Sequence, residues 1–201
     1  MAVSLIKKEA LWYHGKFKFN VTRILKIKNK FNKEKNLYKC PGHEWFSLKF
    51  KRQSKIILLN ASWDKTIGIG TILGYNKLRA IDIDKCNDID LVFNILEILE
   101  LPKKYEWVVR SGSKNGFHIL FYAEDNKISD FESLKVAYGS NFQYKKTFKR
   151  MEFRWQKHLV LPPSKHRTGN KYEFLFSKPI KKPLNVSLDG IIKVIEKYCL
   201  Y

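Results

Sequence analysis

Polar and apolar residues alternate in several short segments of the chain, as they do in strands that bury one face of a sheet. The predicted strands, in chain order, are IGIGTIL, LRAIDID, WVVRS, FHILFY, MEFRW, LVLPPS and KYEFLF. Gly74-Tyr75-Asn76 joins the first two strands, and Asn115-Gly116 marks a tight reversal between the third and the fourth. No repeat, low-complexity tract or flexible linker separates these segments, so one compact domain is expected for the 201 residues.

Other segments have the pattern of helices. DIDLVFNILEILEL is expected to form a helix capped by Asn87 or Asp88, whose side chain can accept hydrogen bonds from the first free N–H groups. Residues 187–198 carry an apolar stripe at helical spacing. The polar segment around residues 125–139 is also expected to contain a helix.

The N-terminal region differs from the rest in composition. Residues 7–55 are dense in Lys, Asn and aromatic residues, and their short alternating segments favour strands or a hairpin region over a long helix. The whole chain holds 39 Lys and Arg against 19 Asp and Glu, a formal net charge of +20. Such an excess repels itself in a compact fold unless a polyanion neutralises it, so nucleic acid is the leading partner.

Membrane binding and codon usage are alternative origins of the basic charge. An anionic membrane surface is not favoured, because the sequence has no lipidation motif and no helix that is basic on one face and apolar on the other. An AT-rich genome, in which Lys and Asn codons are common, accounts for part of the excess. No run of about 18 apolar residues and no apolar secretory core is present, so a cytoplasmic location is expected.

The cysteines fit neither a disulfide framework nor a complete zinc site. All three are widely spaced, which suits a reducing compartment; they are Cys40, Cys86 and Cys199. Cys40 and His43 have the C-x2-H spacing of half a zinc site, and His14 lies upstream. A structural zinc needs four ligands, and no second close pair of Cys or His supplies the rest. We therefore expect no zinc and an ordinary turn between Cys40 and His43.

Strand alternation places charged residues on one face of three predicted strands. Asp82 and Asp84 share a face of LRAIDID, while Glu152 and Arg154 in MEFRW and His118 in FHILFY lie opposite the apolar residues. If the three strands are neighbours, their exposed face gathers these five side chains. Three carboxylates so close would not all ionise without cations, and two divalent ions about 4 Å apart would neutralise them. The oxygen-only ligand set suits Mg²⁺ or Mn²⁺.

Each of these residues, taken alone, is also compatible with a purely structural role. Asp82 and Asp84 suit the wet face of a surface strand, Glu152 and Arg154 suit a structural ion pair, and His118 suits a packed or solvated histidine. The joint pattern on three strands favours the metal site over these alternatives.

Three motifs of the sequence occur in the order found in a known family. They are the acidic strand RAIDID, the turn and strand SGSKNGFHILFY, and the strand MEFRW followed by LPPSKHRTGNKYEF. Together they span residues 66–176 and resemble the archaeo-eukaryotic-type primases, in particular the bifunctional primase-polymerase (Prim-Pol) branch. The preceding region, with Trp45 and IGIGTILG, is similar to the N-terminal part of that family.

The resemblance implies an α+β fold in which an RRM-like antiparallel-sheet palm is joined to an N-terminal α/β accessory module. It further implies a single catalytic domain over residues 1–201. Residues 1–65 would form the basic N-terminal part of the accessory module. Residues 66–180 would form the core that carries the motifs, and residues 181–201 the C-terminal helix.

The resemblance also assigns roles to individual residues. The catalytic, metal-binding carboxylates that hold two Mg²⁺ or Mn²⁺ ions would be Asp82, Asp84 and Glu152, where the last stands at a position often occupied by Asp. The nucleotide-binding residues would be Ser111, Ser113, Lys114, His118, Arg154, Ser164, Lys165 and His166. The turn SGSKNGFH is longer than the common family form, S-G-G-x-G-x-H. A turn of backbone N–H groups beside a Lys is an anion site on physical grounds too.

The function that follows is template-directed nucleotidyl transfer: a primase-polymerase that makes or extends primers on single-stranded DNA. Its partners would be the DNA template, a primer strand and dNTP or NTP, with a helicase or another replication, repair or CRISPR-adaptation protein as a further candidate. A two-metal nuclease is one alternative, although hydrolysis needs no triphosphate pocket. A non-catalytic RRM-like nucleic-acid-binding module is the other, but its open sheet face would carry aromatic residues rather than acids.

Overall fold

A computed structural model describes residues 4–28, 36–41, 45–124 and 150–199. It contains four α-helices and ten β-strands within these residues. The helices are α1 (Leu5–Phe17), α2 (Lys55–Asn60), α3 (Ile89–Ile98) and α4 (Leu188–Cys199). The strands are β1 (Asn20–Lys28), β2 (Asn36–Pro41), β3 (Thr66–Ile72), β4 (Leu78–Asp84), β5 (Val108–Arg110), β6 (Gly116–Ala123), β7 (Arg150–Arg154), β8 (His158–Leu161), β9 (Glu173–Phe174) and β10 (Asn185–Val186).

The strands form two sheets. The four-stranded sheet has the order β2-β1-β3-β8, and all of its pairs are antiparallel. The six-stranded sheet has the order β7-β4-β6-β5-β9, again antiparallel, with β10 paired in parallel to the end of β6. The fold is therefore a mixed α+β fold built on antiparallel sheets. Strands β3 and β4 are consecutive, as predicted, but they belong to different sheets.

The expectation of strands rather than a long helix is wrong at the start of the chain. Residues Leu5–Phe17 are helical, and their buried side chains recur at helical spacing as Ala10, Tyr13, His14 and Phe17. The Ser4 hydroxyl caps the helix by accepting a hydrogen bond from the Lys7 backbone N–H. The hairpin part of the expectation is confirmed, because β1 pairs with β2. Residues Phe46–Lys49 form a 3-10 turn instead of a strand.

Helix α1 connects the two sheets through an aromatic cluster. The buried Trp107, which precedes β5, packs its ring 4.8 Å from that of Phe17 and 5.1 Å from that of Phe19. The Tyr13 hydroxyl donates a hydrogen bond to the Pro162 carbonyl, just after β8. Burying a side chain of this size contributes roughly 1.5–3 kcal/mol. The N-terminal helix thereby fixes the six-stranded sheet relative to the chain that follows β8.

The predicted cap of the central helix is confirmed. The Asp88 carboxylate accepts hydrogen bonds from the backbone N–H groups of Asp90 and Leu91, and α3 begins at the next residue. The helix expected around residues 125–139 lies outside the described residues. Within the described ranges, no helix combines the length and the apolar character needed to cross a membrane.

Candidate active site

Pairing of the central strands brings the predicted charged residues together. Strand β4 lies between β6 and β7, and Asp82 stands opposite His118 on one side and Glu152 on the other. Ala80 stands opposite Arg154 on β7. Since residues two apart on a strand share a face, Asp84 lies on the same face as Asp82. The prediction that the three strands are neighbours is confirmed.

The charged face is less open than expected. Asp82, His118 and Glu152 are only 4%, 3% and 3% exposed. Tyr172, in the segment that follows β8, is buried, and its ring lies 5.7 Å from that of His118. The site is therefore a covered cluster rather than an exposed sheet surface.

The carboxylates are neutralised by cationic side chains of the chain itself. Arg154 Nη2 lies 2.8 Å from Asp82 Oδ2 and 3.1 Å from Glu152 Oε2. Arg150 Nη2 lies 3.0 Å from Asp84 Oδ2 and 3.2 Å from Glu152 Oε2. Each of the two guanidinium groups therefore bridges Glu152 and one aspartate.

Two further contacts complete the cluster. Lys157 Nζ forms an ion pair with Glu152 Oε1, and His118 Nε2 lies 3.3 Å from Asp82 Oδ1. Arg150 and Lys157 were not predicted as site residues. Arg150 could have been found, because it shares the alternation of Glu152 and Arg154 along β7. Lys157 lies in the connection from β7 to β8, where no periodic pattern indicates its direction.

The donor chemistry of the cluster fits a hard divalent cation, since its anionic groups are all carboxylates. Two oxygens from different strands approach the same nitrogen at each bridging guanidinium, so the carboxylates are close enough to share a cation. In this arrangement the shared cations are Arg150 and Arg154. Accordingly, the described residues contain no group of three or more His, Cys, Asp or Glu side chains arranged to hold a metal ion.

The turn between β5 and β6 lies at the end of the cluster, because Gly116 stands opposite Asp84. The Ser111 and Ser113 hydroxyls are 2.7 Å apart, and Ser113 Oγ accepts a hydrogen bond from the Asn115 N–H. Lys114, predicted to reach the phosphates, forms an ion pair with Glu173 on β9. The turn is thus held in place by its own hydroxyls, while its lysine has an exposed partner.

The segment after β8 is tied to the same turn. The Thr168 hydroxyl donates a hydrogen bond to the Gly112 carbonyl. A Cβ on Gly112 would lie 2.4 Å from the His166 Cβ, so only glycine permits this contact. His166 is partly exposed and Lys165 is exposed, both beside the turn. The two predicted phosphate-binding segments are therefore in contact with each other.

Ser164 has a different position from the one expected. It is fully buried; its hydroxyl oxygen accepts a hydrogen bond from the Ile69 N–H at 2.7 Å and lies within hydrogen-bonding distance of the Leu161 carbonyl. These contacts join β3 to the end of β8. They occupy the Ser164 hydroxyl, the group that would otherwise bind a phosphate. Ser164 holds the segment in place, and the prediction that it contacts nucleotide is corrected on this ground.

Tyr172 is a site residue that the motif G-x-x-Y contains but that was not singled out. Its ring lies between those of His118 and His166, at 5.7 Å and 6.0 Å. Burial, together with the charges of Asp82 and Asp84, raises the pKa of its hydroxyl well above the ordinary value. Tyr172 therefore stays protonated and can donate a hydrogen bond in the site.

Cys40, His43 and His14 were considered above as zinc ligands. Among them, only the side chain of His14 belongs to the part of the chain that the structure describes. Its ring is buried, and its Nε2 lies 2.9 Å from the Gln53 carbonyl, so this nitrogen is the donor and is occupied. The side chains of Cys40 and His43 lie outside the described residues. The absence of a zinc site at that turn stays a prediction.

Comparison with protein families shows which family the chain belongs to. The family described as "Bifunctional DNA primase/polymerase, N-terminal", or Prim-Pol, matches residues 10–185. The chain belongs to the Prim-Pol family. The match covers both sheets, the acidic strand and the segments that cross it, so the charged cluster is the candidate active site of a Prim-Pol domain. No curated protein matches the chain significantly.

Family membership also supports the coarser part of the functional prediction. A Prim-Pol domain is a DNA primase or polymerase domain, for which single-stranded DNA and nucleotides are the expected ligands. It thereby supports nucleotidyl transfer, the reaction class inferred from the acidic strand.

Proposed function

We propose that the protein is a template-directed nucleotidyltransferase that makes or extends primers on single-stranded DNA with two divalent metal ions. One observation carries the proposal: the register that places Asp82 opposite both His118 and Glu152. This register gathers the carboxylates on one face of the sheet. The two segments proposed to bind phosphate, the turn between β5 and β6 and the segment after β8, lie at the edge of that cluster. This combination suits the binding of a nucleoside triphosphate.

The carboxylates of Asp82, Asp84 and Glu152 are the groups that would hold Mg²⁺ or Mn²⁺. Bound there, the two ions would activate a 3′-hydroxyl group and neutralise the departing pyrophosphate. The cations that now bridge the carboxylates, Arg150 and Arg154, would then be free to turn toward the triphosphate. A guanidinium group matches phosphate geometry as well as it matches a carboxylate.

The nucleotide contacts are proposed at the turn and at the segment after β8. His118 would donate a hydrogen bond to a phosphate oxygen while Asp82 fixes the orientation of its ring. Ser111, Ser113 and Lys114 would bind phosphates from the turn. Lys165 and His166 would add positive charge and hydrogen bonds from the opposite side.

We extend the proposal to the architecture. The six-stranded sheet would be the RRM-like palm, and the four-stranded sheet with α1 and α2 would be the accessory module. Strands β3 and β8 lie in the second sheet although they fall within the motif-bearing part of the sequence. This interleaving supports one catalytic unit, because neither sheet is formed by a continuous stretch of chain. A helicase or CRISPR-adaptation partner stays a prediction.

The test is incorporation of labelled nucleotides on single-stranded DNA with Mg²⁺ or Mn²⁺, with and without an annealed primer. The wild type should incorporate nucleotides, and Asp82→Ala/Asp84→Ala should abolish the reaction while retaining DNA binding. Glu97→Ala/Glu196→Ala is the matched control, since it removes two exposed carboxylates on helices. Equal activity in the Asp82 and Asp84 variant would refute the site, and metal-dependent cleavage of the DNA would favour a nuclease.

A further inference from the structure

Large aromatic side chains are exposed beside the 3-10 turn Phe46–Lys49. Phe46 and Phe50 are 60% and 66% exposed, although rings of this size are normally buried. With Trp45 and Lys49 they form a continuous surface, here called the aromatic track. An exposed cluster of rings points to a binding surface rather than to packing.

The geometry of the aromatic track resembles that of a stacking surface. The Phe46 and Phe50 rings are 6.1 Å apart and inclined by 68°, an edge-to-face pair whose two side chains stay largely exposed. Lys49 Nζ lies 4.2 Å from the Phe46 ring centroid and 5.2 Å from that of Trp45. A positive charge is thereby held between aromatic faces, where a base and its phosphate would both find a contact.

The aromatic track leads toward the carboxylate cluster. The Trp45 ring lies 5.7 Å from the ring of His158, the first residue of β8. The His158 carbonyl accepts a hydrogen bond from Arg154, at 3.3 Å. Arg154 in turn contacts Asp82. These contacts connect the Trp45 end of the aromatic track to the carboxylate cluster.

Charge distinguishes between partners for this surface. Residues 45–63 contain four basic residues and no acidic one. Lys51 and Lys55 follow Phe50 in the chain and are exposed. A polyanion with flat apolar faces complements both features, and single-stranded nucleic acid has both, whereas duplex DNA hides its bases.

We propose that the aromatic track binds the single-stranded DNA template by base stacking and guides it to the carboxylate cluster. The second half of the inference rests on the proposed function, because a template has meaning only for a polymerase. The first half, binding through the rings, does not depend on it.

The test measures the binding of a fluorescein-labelled oligothymidylate by fluorescence anisotropy, in the absence of nucleotide and divalent metal. The oligonucleotide has about 20 nucleotides, so it is longer than a single binding site. Phe46→Ala/Phe50→Ala should weaken binding about tenfold or more. Phe46→Trp/Phe50→Trp should restore it, because the larger rings stack as well. Both rings are exposed, so their truncation should leave the melting temperature nearly unchanged.

The matched control is Ile56→Ala/Ile57→Ala on α2. These side chains are 65% and 51% exposed and follow the rings closely in the chain, but they have no face on which a base can stack. The control should bind the oligonucleotide as the wild type does. An equal loss in the control would indicate a general apolar docking surface and overturn the proposal.

Three more results would overturn it: unchanged binding by the Phe46 and Phe50 alanine variant, equal affinity for the same strand annealed into a duplex, or no binding by the wild type. The outcome is separable from that of the incorporation test. Binding through the rings without incorporation would leave the aromatic track standing and refute the polymerase. Nucleotide incorporation together with DNA binding that does not depend on the Phe46 and Phe50 rings would support the polymerase and refute the aromatic track.

Discussion

On the face of the six-stranded sheet, Asp82, Asp84 and Glu152 each lie within 3.1 Å of a cationic side chain. Around the aromatic track, residues 45–63 carry lysines and arginine without a single acid. In the first region the carboxylates and the cationic side chains neutralise each other. A bound metal ion or phosphate could replace one member of a pair during a reaction. The second has a net field that attracts polyanions from a distance. The excess of basic residues is thus distributed differently in the two regions: it is paired with acids in the first and stands without them in the sequence of the second.

Breaking the paired region should have the largest effect. Glu152→Gln keeps the shape but removes the charge that Arg150, Arg154 and Lys157 share. We expect the free energy of unfolding in urea to fall by about 3 kcal/mol, because the cations around this buried position would lose their common anion. Nucleotide incorporation should fall by about two orders of magnitude or more, as for other losses of transition-state charge stabilisation.

Glu173→Gln is the control for that loss. Its partner Lys114 is partly exposed, and Glu173 is exposed too, so breaking this pair should cost less than about 1 kcal/mol. Equal destabilisation by the two variants would contradict the distinction between buried and exposed pairs.

The corrected position of Ser164 gives the next largest expectation. Ser164→Ala leaves the buried Ile69 N–H without its hydroxyl acceptor, which should lower the free energy of unfolding by about 1–3 kcal/mol. The dissociation constant for a nucleoside triphosphate, measured by titration calorimetry, should hardly change. Ser113→Ala should weaken nucleotide binding and cost less stability than Ser164→Ala, because its hydrogen bonds lie in a partly exposed turn. Weaker nucleotide binding by Ser164→Ala with no loss of stability would return this serine to the nucleotide site.

The basic region around the aromatic track can be tested through salt. Lys51→Ala/Lys55→Ala should make DNA binding less dependent on salt, because each lost phosphate contact lowers the slope of log K against log [salt] by about 0.7 on a single strand. Lys181→Ala/Lys182→Ala removes two exposed lysines elsewhere and should leave the slope unchanged. Identical slopes for the two variants would mean that the basic charge acts without a preferred surface.

The smallest expected effect concerns His14. Burial lowers the pKa of its imidazole, as do the charges of Arg52, Lys18 and Lys55, against the hydrogen bond to Gln53. The unfolded chain therefore binds the proton more readily, and the stabilisation present above pH 6.5 is lost as the pH falls below that value. Urea unfolding of His14→Gln should show a shallower loss of stability from about pH 7 to pH 5. If the unfolding free energy of the variant falls with pH as steeply as that of the wild type, a group other than His14 is responsible for the loss.

The parts of the site that could be predicted are those on regular strands. Alternation along β4, β6 and β7 placed Asp82, His118 and Glu152 on one face, and the strand pairing then brought them together. Arg150 obeys the same alternation, but the predicted strand MEFRW begins one residue after it, whereas β7 begins at Arg150. Lys157 lies in an irregular connection, where the direction of a side chain depends on distant contacts. Tyr172 falls within the predicted strand KYEFLF, but β9 begins one residue later, at Glu173, so strand alternation does not set the direction of its side chain.

The sequence alone determined the acidic strand, the cap at Asp88 and the basic character of the chain, because each depends on neighbouring residues or on composition. The sequence also contains the helical spacing of the buried residues of α1, although the surrounding lysines obscure that pattern. Tertiary structure decided that Ser164 is buried and that Tyr172 packs beside His118. It also decided that Phe46 and Phe50 stay exposed. These outcomes depend on which distant segment packs above a given side chain, and no local pattern contains that information.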